Sequence, residues 1–509
     1  MTTIRTDAIV IGAGIAGVKA SIDLTKAGVS NIILEARDRT GGRLNTVRSP
    51  TCRNFDLGAS WFHDCLDNPL FEKSIEKGNI DFYFDDASMS LYNKDGFIHD
   101  DERLVPIFEE MKNYLETYWV PKSRENDVSI KEAAYQYLLK KKNVLNDFQL
   151  KNAPQLLRFF ELWIGSSWDI LSARYICEDK HLGRNAFCLN GWSSIYNNEL
   201  VELSQISGCG NDTKKLETSK KIYLNTEVKK INFSNWNKEI TIKTKNTKTN
   251  KIDTYICKYI ICTAPLSVLK LQKNEVGSIE WSPKLPKQIS NALDNLSFSA
   301  LGKIFLEFDD VFWPKESDRF YCLPDYDTEM YNKIKNGDAK SGIQIRTNEI
   351  DLTSAPDAEG FTHPVLFLNV HRFAGVPVLA CLISNPLTKW IEADPQNRAW
   401  PVIKPLLSKI VSSLPNAPKI IPAPKSITCT QWTTDPYARG SYTGLTVHDE
   451  FEDGIQALID AKGIFDGKGR VRFAGEHCIL QGSGCAHGAW ISGAREAAEI
   501  IKRINNSKL

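Results

Sequence analysis

Three glycines near the start of the chain have the spacing of a nucleotide-binding loop. Residues 12–17 read Gly-Ala-Gly-Ile-Ala-Gly, a G-x-G-x-x-G pattern that contains Gly12, Gly14, Ala16 and Gly17. The first glycine permits a tight turn, the second lets a pyrophosphate approach the backbone, and the third lets a helix pack closely on a strand. Glu35 follows 35 − 17 = 18 positions after the last glycine, near the spacing of about 20 typical of an acid that binds ribose hydroxyls. The pattern predicts a dinucleotide site.

The flanking sequence predicts the elements that position this loop. Residues 7–11 are apolar and partly β-branched, residues 18–26 have helical periodicity, and residues 31–34 form a second apolar run. A strand, a helix and a strand in this order are typical of a parallel α/β sheet, with the helix N-terminus facing the phosphates.

The residues after the second strand extend the pattern. Residues 35–43 read Glu-Ala-Arg-Asp-Arg-Thr-Gly-Gly-Arg, and they resemble the E-x-R-x-x-x-G-G-R segment of the FAD-dependent amine oxidases. The resemblance implies that Glu35, Ala36, Arg37, Gly42 and Arg43 contact FAD. An NAD-dependent dehydrogenase would share the glycine loop and Glu35, but it would not explain the glycine pair before Arg43.

Three later blocks resemble the same family in the same order: residues 225–228, 259–265 and 472–477. The resemblance places the backbone of Val228 at the adenine and Glu476 at the ribityl and pyrophosphate region. It implies a discontinuous Rossmann-like FAD-binding domain, formed by residues 1–80, 190–270 and 425–509. Residues 81–189 and 271–424 are then expected to form a substrate domain of helices on a mixed sheet.

Shorter segments resemble yeast-type polyamine oxidases, among them residues 58–63, 84–86, 161–163, 181–185, 300–303 and 484–490. Phe62 and His487 depart from the histidine and tyrosine expected at those positions. Monoamine oxidases attach FAD to a cysteine, and Ser441 occupies that place here. A serine cannot form the thioether, so non-covalent FAD is expected. Further residues expected to contact it are Gly58, Ala59, Ser60, Trp61, Trp432, Tyr437, Gly475, Cys485 and Ala486.

Oxidation of a C–N bond to an imine requires a neutral amine, which a buried site favours because burial lowers the pKa of an ammonium. The resemblance implies that Lys303 holds a water against the reactive flavin nitrogen; the alternative is a lysine that snorkels from a strand edge. His63 is expected to bond to the substrate nitrogen, although a lone histidine is more often structural. We therefore predict catalytic roles for Lys303 and His63.

Other residues are predicted to bind the substrate. His181 and Asn185 would position amine nitrogens, and Asp86 would hold a distal ammonium, unless Asp85 and Asp86 form an exposed acidic turn. Trp163, Trp432 and Tyr442 would form aromatic walls, with core packing as the alternative for Trp432. His487 belongs to the same predicted set. No metal site is predicted.

These residues predict an FAD-dependent polyamine oxidase that acts on spermine or on N-acetylated spermine and spermidine, with O2 reduced to H2O2. An L-amino-acid or monoamine oxidase and a flavin-binding interaction protein are the alternatives. An L-amino-acid oxidase would need an arginine in the pocket to receive a carboxylate, and no arginine in the sequence stands out for that role.

Composition limits the possible partners and locations. The net charge is +1, so nucleic acid and anionic membranes are not expected partners. No apolar run reaches the length of about 18 to 20 residues needed to cross a bilayer. The final tripeptide, Ser507-Lys508-Leu509, is a peroxisomal address that an import receptor reads, which predicts a peroxisomal location.

Overall fold

The computed structural model describes residues 3–176, 181–234, 236, 238–342 and 360–506. The predicted peroxisomal tripeptide lies outside them. Within the described part of the chain, no helix is long and apolar enough to cross a membrane.

A five-stranded parallel sheet lies at the centre of the nucleotide-binding half. In spatial order its strands are Ile222–Tyr223, Asn31–Leu34, Ala8–Ile11, Tyr259–Cys262 and Val471–Phe473. The middle strands are buried on both faces, as expected for a parallel sheet covered by helices. Three helices pack together on this sheet: Ile15–Lys26, Trp192–Ile206 and Ala486–Asn506.

A second five-stranded sheet is mixed. Its strands, in order, are Thr3–Arg5, Ile252–Cys257, Ile240–Asn246, Thr226–Phe233 and Glu280–Ser282. The composition of residues 243–251, rich in Lys, Thr and Asn, predicts a solvated hairpin loop. Residues 243–246 instead belong to a strand, and only residues between 246 and 252 form the turn, because Ile240 and Ile242 anchor that strand in the core.

A seven-stranded mixed sheet dominates the other half. Its strands, in order, are Ser426–Cys429, Gly302–Glu307, Val378–Ile383, Val365–Asn369, Arg319–Cys322, Met89–Asn93 and Gly96–Phe97. Only the Arg319–Cys322 and Met89–Asn93 pair is parallel. Smaller sheets join Trp61–Phe62, Ala186–Cys188 and Phe82–Tyr83, and join Thr46–Arg48 to Asn54–Asp56.

Further α-helices pack in both halves of the chain. The other α-helices are Pro69–Lys77, Leu104–Tyr114, Ile130–Lys141, Asp147–Leu157, Phe159–Ile164, Lys215–Thr218, Leu266–Leu269, Lys287–Asp294, Thr328–Asn336, Val370–Ala374, Leu387–Ala393, Pro395–Ser412 and Phe451–Asp460. Apolar residues recur at helical spacing over residues 130–156, and the structure forms two helices in this segment, Ile130–Lys141 and Asp147–Leu157. Asn146 caps the second through a capping box with Gln149.

The predicted α/β fold with a helical, mixed-sheet partner unit is confirmed. Two strands pair with the half of the protein to which the predicted segments do not assign them. Glu280–Ser282 pairs with Thr226–Phe233 in the nucleotide-binding half, and Ser426–Cys429 pairs with Gly302–Glu307 in the seven-stranded sheet. Both are edge strands, and their pairing depends on contacts far apart in the sequence.

Candidate active site

The glycine loop connects the central parallel strand to its helix. Gly12 has a φ of +101°, and a Cβ atom there would lie 2.5 Å from Thr263 Oγ1. A Cβ on Gly17 would lie 2.1 Å from the carbonyl oxygen of Gly12. Beside Gly14, by contrast, nothing lies within 4 Å of an added Cβ. Gly12 and Gly17 therefore allow close packing, whereas Gly14 faces open space.

Glu35 stands at the carboxyl end of the neighbouring strand and is buried. Its carboxylate accepts hydrogen bonds from the backbone N–H groups of Ala13, at 2.8 Å, and Arg37, at 2.9 Å. These bonds fix the carboxylate beside the glycine loop.

One cavity of about 680 Å³ begins at this loop and continues to the seven-stranded sheet. This volume falls within the range of about 300 to 1,000 Å³ typical of small-molecule sites. Predicted cofactor residues that line it are Gly12, Gly14, Ala16, Glu35, Ala36, Arg37, Gly42, Arg43, Gly58, Ala59, Ser60, Trp61, Val228, Trp432, Tyr437, Gly475, Glu476, Cys485 and Ala486. Predicted catalytic and substrate residues that line it are Lys303, His63, Trp163, His181, Asn185 and Tyr442.

Lys303 extends from strand Gly302–Glu307 and is only 6% exposed. Its ammonium donates hydrogen bonds to the carbonyls of Asp56, at 3.1 Å, and Gly58, and to Ser60 Oγ, at 2.5 Å. Burial lowers the pKa of Lys303 to about 8, while the charge of Asp56 opposes that change. The lysine is thus a buried cation with no adjacent carboxylate bonded to it, able to lose its proton in mildly alkaline solution.

His63 occupies the end of the cavity nearest Trp163. Its Nδ1 lies 3.2 Å from Asn185 Oδ1, and its ring stacks on that of His181 with centroids 4.4 Å apart. Burial lowers the pKa of His63 to about 3, and repulsion from His181 adds to this effect. His63 is therefore a neutral imidazole at physiological pH, as a partner for an uncharged amine must be.

A buried carboxylate lies behind these rings. Asp64 accepts from His181 Nδ1 at 3.0 Å, from His487 Nε2 at 3.1 Å, and from the backbone N–H of Leu182 at 2.6 Å. Burial alone would raise the pKa of Asp64, but the hydrogen bonds from His181 and His487 outweigh it and hold the pKa well below its usual range. Asp64 thus fixes the orientation of His181 in the cavity wall.

Trp163 and Tyr442 form part of the same wall. The Tyr442 hydroxyl donates to the carbonyl of Trp163, and the Trp163 ring lies 4.9 Å from that of His181 and 6.2 Å from that of His63. Trp432 also lines the cavity, and its indole N–H donates to the carbonyl of Leu57 at 2.7 Å.

Comparison with known proteins agrees with this arrangement. Residues 15–501 match the model of the family described as flavin containing amine oxidoreductase. The chain belongs to this amine oxidoreductase family. It is 31% identical to a corticosteroid-binding protein of Candida albicans, over 99% of this chain and 97% of the relative.

The chain is also similar to two amine oxidases. The chain is 26% identical to polyamine oxidase 5 of Oryza sativa, over 98% of this chain and 88% of the relative. A putrescine oxidase redesigned in its cofactor binding has the same fold, with a TM-score of 0.65 and 16% identity over 99% of this chain and all of that one.

The cofactor of this amine oxidoreductase is FAD, and the cavity fits it. The space beside Gly14 and the N-terminus of helix Ile15–Lys26 suit a pyrophosphate, since the first amides of a helix have no partners inside the helix. Arg43 Nη1 bonds to Glu476 at 2.8 Å and to the carbonyl of Ser441 at 2.7 Å. When bound, FAD accepts a hydride equivalent from an amine carbon and passes the electrons to oxygen.

Three predicted residues do not face this cavity. Gly17 packs against Gly12 behind the loop, as its predicted role requires. His487 is buried behind the wall against Asp64. Asp86 lies outside the cavity, 40% exposed, and forms an ion pair with Arg184 at 2.7 Å. Its predicted contact with a distal ammonium is therefore wrong for this conformation, because the carboxylate already has a cationic partner in solvent.

Sequence reasoning missed two charged residues of this amine oxidoreductase. Asp85 is fully buried, and Arg319 lines the cavity. Arg319 therefore places a guanidinium in the cavity beside the arginines predicted to contact FAD, although nothing in the sequence marked it for that position. Neighbouring residues of an extended segment face opposite sides, but nothing in the local sequence shows which of Asp85 and Asp86 faces inward.

Proposed function

We propose that this amine oxidase oxidises polyamines, and that it prefers N-acetylated spermine or spermidine. The observation that carries the proposal is a neutral His63 hydrogen-bonded to Asn185 in the same cavity as the buried Lys303. Polyamine oxidase relatives at 26% identity support the substrate class.

The residues of the chain prepare the amine for oxidation. The apolar arm of the cavity, lined by Phe159, Leu366, Leu368 and Leu382, lowers the pKa of an entering ammonium, which favours its uncharged form. His63, His181 and Asn185 supply ring nitrogens and an amide that orient the amine nitrogen by hydrogen bonds. The resulting imine hydrolyses to a shorter polyamine and an aminoaldehyde, while O2 is reduced to H2O2.

Oxygen uptake by the purified holoenzyme tests the proposal. Spermine, N-acetylspermine, N-acetylspermidine and benzylamine are compared at equal concentration. We expect uptake with the polyamines and the highest kcat/KM with an acetylated one. Activity with benzylamine alone would defeat the polyamine assignment.

A corticosteroid ligand is the second candidate, because a relative at 31% identity carries that name. The apolar cavity wall formed by Phe159, Leu366, Leu368 and Leu382 favours it. If a steroid occupies this arm, corticosterone inhibits oxygen uptake competitively with N-acetylspermine. Failure to inhibit would remove this candidate.

We also propose a peroxisomal location, supported by Ser507-Lys508-Leu509. A fluorescent protein fused ahead of the full chain should appear in peroxisomes and lose that location when the tripeptide is deleted. A diffuse signal from the intact fusion would contradict the location.

A further inference from the structure

Arg319 lies at one end of the face of the seven-stranded sheet that lines the cavity. In that sheet Lys303 pairs with Leu382, Leu382 pairs with Leu366, and Arg319 pairs with Leu368. All five residues line the cavity. Leu368 lies two residues along the strand from Leu366, so the Cα atoms of Lys303 and Arg319 are separated by three strand spacings and two residues. This is about 16 Å at about 4.8 Å per strand and about 3.4 Å per residue.

The surface between these two cations is apolar. Leu366, Leu368 and Leu382 come from the two intervening strands, and Phe159 lines the same cavity. This surface suits the methylene chain of an amine substrate. Among the described residues, Leu366, Leu368, Leu382 and Phe159 provide no carboxylate to hold a second ammonium between the two cations.

A buried carboxylate offsets the charge of Arg319. Asp85 Oδ2 lies 2.9 Å from Nη2 and 3.2 Å from Nε of Arg319, and Asp85 also accepts from the Trp61 indole N–H at 3.2 Å. Burial raises the pKa of Asp85, whereas the Arg319 guanidinium opposes that change. The pair therefore presents donors to the cavity with little net charge.

The N–H donors of Arg319 that do not contact Asp85 determine which chemical groups this residue can bind. The contacts with Asp85 use Nε and Nη2, and no described residue bonds to Nη1, so the Nη1 N–H groups remain for a ligand. An ammonium has donors and no acceptor, so it cannot receive these bonds. A carboxylate would bring a second negative charge beside Asp85, and like charges in a buried site are unfavourable. A neutral amide carbonyl satisfies the donors without either penalty.

We propose that Arg319 binds the carbonyl oxygen of the N-acetyl group of the substrate and so makes the enzyme select acetylated over free polyamines. This inference rests on the proposed polyamine oxidase function. It assigns the choice of substrate to the Arg319 and Asp85 pair, at the distal end of the arm.

The test compares N-acetylspermine with spermine in the FAD-loaded enzyme. The double variant Arg319→Met with Asp85→Asn removes the donors without leaving an unpaired buried charge, and an asparagine oxygen still accepts from Trp61. We expect kcat/KM for N-acetylspermine to fall at least tenfold, about 1.4 kcal/mol, while kcat/KM for spermine changes less than about threefold. Asp85→Asn alone leaves the arginine charge uncancelled and should lower kcat/KM for spermine more than for N-acetylspermine.

A matched control is available nearby. Arg184→Met with Asp86→Asn removes the exposed pair outside the cavity, and the ratio of the two kcat/KM values should not change. If the cavity double variant does not retain FAD, Arg319→Lys takes its place, since lysine keeps the charge beside Asp85 but not the planar fork. The Arg319→Lys variant must then show the same selective fall in kcat/KM for N-acetylspermine.

The outcomes separate this inference from the proposed function. An equal loss with both substrates, or an unchanged ratio, overturns the role of Arg319 and leaves the polyamine oxidase standing. A parent enzyme that prefers spermine overturns the inference together with the proposed preference for acetylated substrates, and leaves the polyamine oxidase activity standing. A parent enzyme that oxidises neither substrate overturns both.

Discussion

At the scale of single residues, burial lowers the pKa of both predicted catalytic residues, Lys303 and His63. The pKa of Lys303 is lowered to about 8 and that of His63 to about 3, both mainly by burial. At neutral pH the site therefore combines a charged lysine with an uncharged imidazole. We expect the lysine cation to favour the arrival of electrons on oxygen and the neutral imidazole not to repel an amine.

We expect Lys303→Met to slow flavin reduction or reoxidation at least tenfold, about 1.4 kcal/mol in barrier, with a bound flavin spectrum near normal. In the parent enzyme the reoxidation rate should fall as pH rises through about 8, because the ammonium loses its proton there. Stopped-flow absorbance across pH 6 to 10, chosen as about two units either side of that pKa, measures both.

Lys221 provides the control for this prediction. Burial lowers its pKa to about 8 as well, but it bonds to Thr25 and Asn31, away from the cavity. Lys221→Met should keep the pH dependence of reoxidation. Unchanged kinetics in Lys303→Met would assign that lysine a structural role.

Sequence alone could identify Lys303, His63 and Asn185 because each lies in a short segment that resembles a family motif. It could not separate Asp85 from Asp86. The two are adjacent carboxylates, and which one is buried depends on Arg319, 234 positions later in the chain. Long-range ion pairs of this kind leave no local pattern.

At the scale of elements, the glycine loop, the strand before it and the helix after it can be predicted, since local sequence sets a strand, a turn and a helix. The pairing of Ser426–Cys429 with Gly302–Glu307 was not, because edge-strand partners are chosen by tertiary packing.

Two alanine substitutions in this loop should have opposite consequences. Gly14→Ala meets no atom within 4 Å and has an ordinary φ of −77°, so the fold should survive while the methyl group weakens FAD binding. Gly17→Ala places a methyl group 2.1 Å from the Gly12 carbonyl, so the apoprotein should lose stability by about 1 to 3 kcal/mol. Denaturant unfolding of both apoproteins and FAD titration separate the effects. A stable Gly17→Ala protein, or a Gly14→Ala protein with normal FAD affinity, would contradict this assignment.

At the scale of the whole molecule, a single cavity is lined by both halves of the chain. Glu35 and Val228 come from the nucleotide-binding half, and Lys303 and Arg319 come from the seven-stranded sheet. A cofactor that touches both halves stabilises them together, because it binds the folded state alone.

Acid precipitation of the whole protein tests whether FAD is attached covalently. Ser441 Oγ donates to the Ser299 carbonyl at 3.0 Å and accepts from the Leu301 N–H at 2.9 Å, so this side chain has a structural role and no thiol to offer. We expect acid precipitation to leave the yellow colour in the supernatant. Adding FAD to the apoprotein at about 100 times its Kd should raise the free energy of unfolding by about 2.7 kcal/mol. A yellow pellet would show covalent attachment, and an unfolding midpoint independent of FAD concentration would show that the folded apoprotein does not bind FAD.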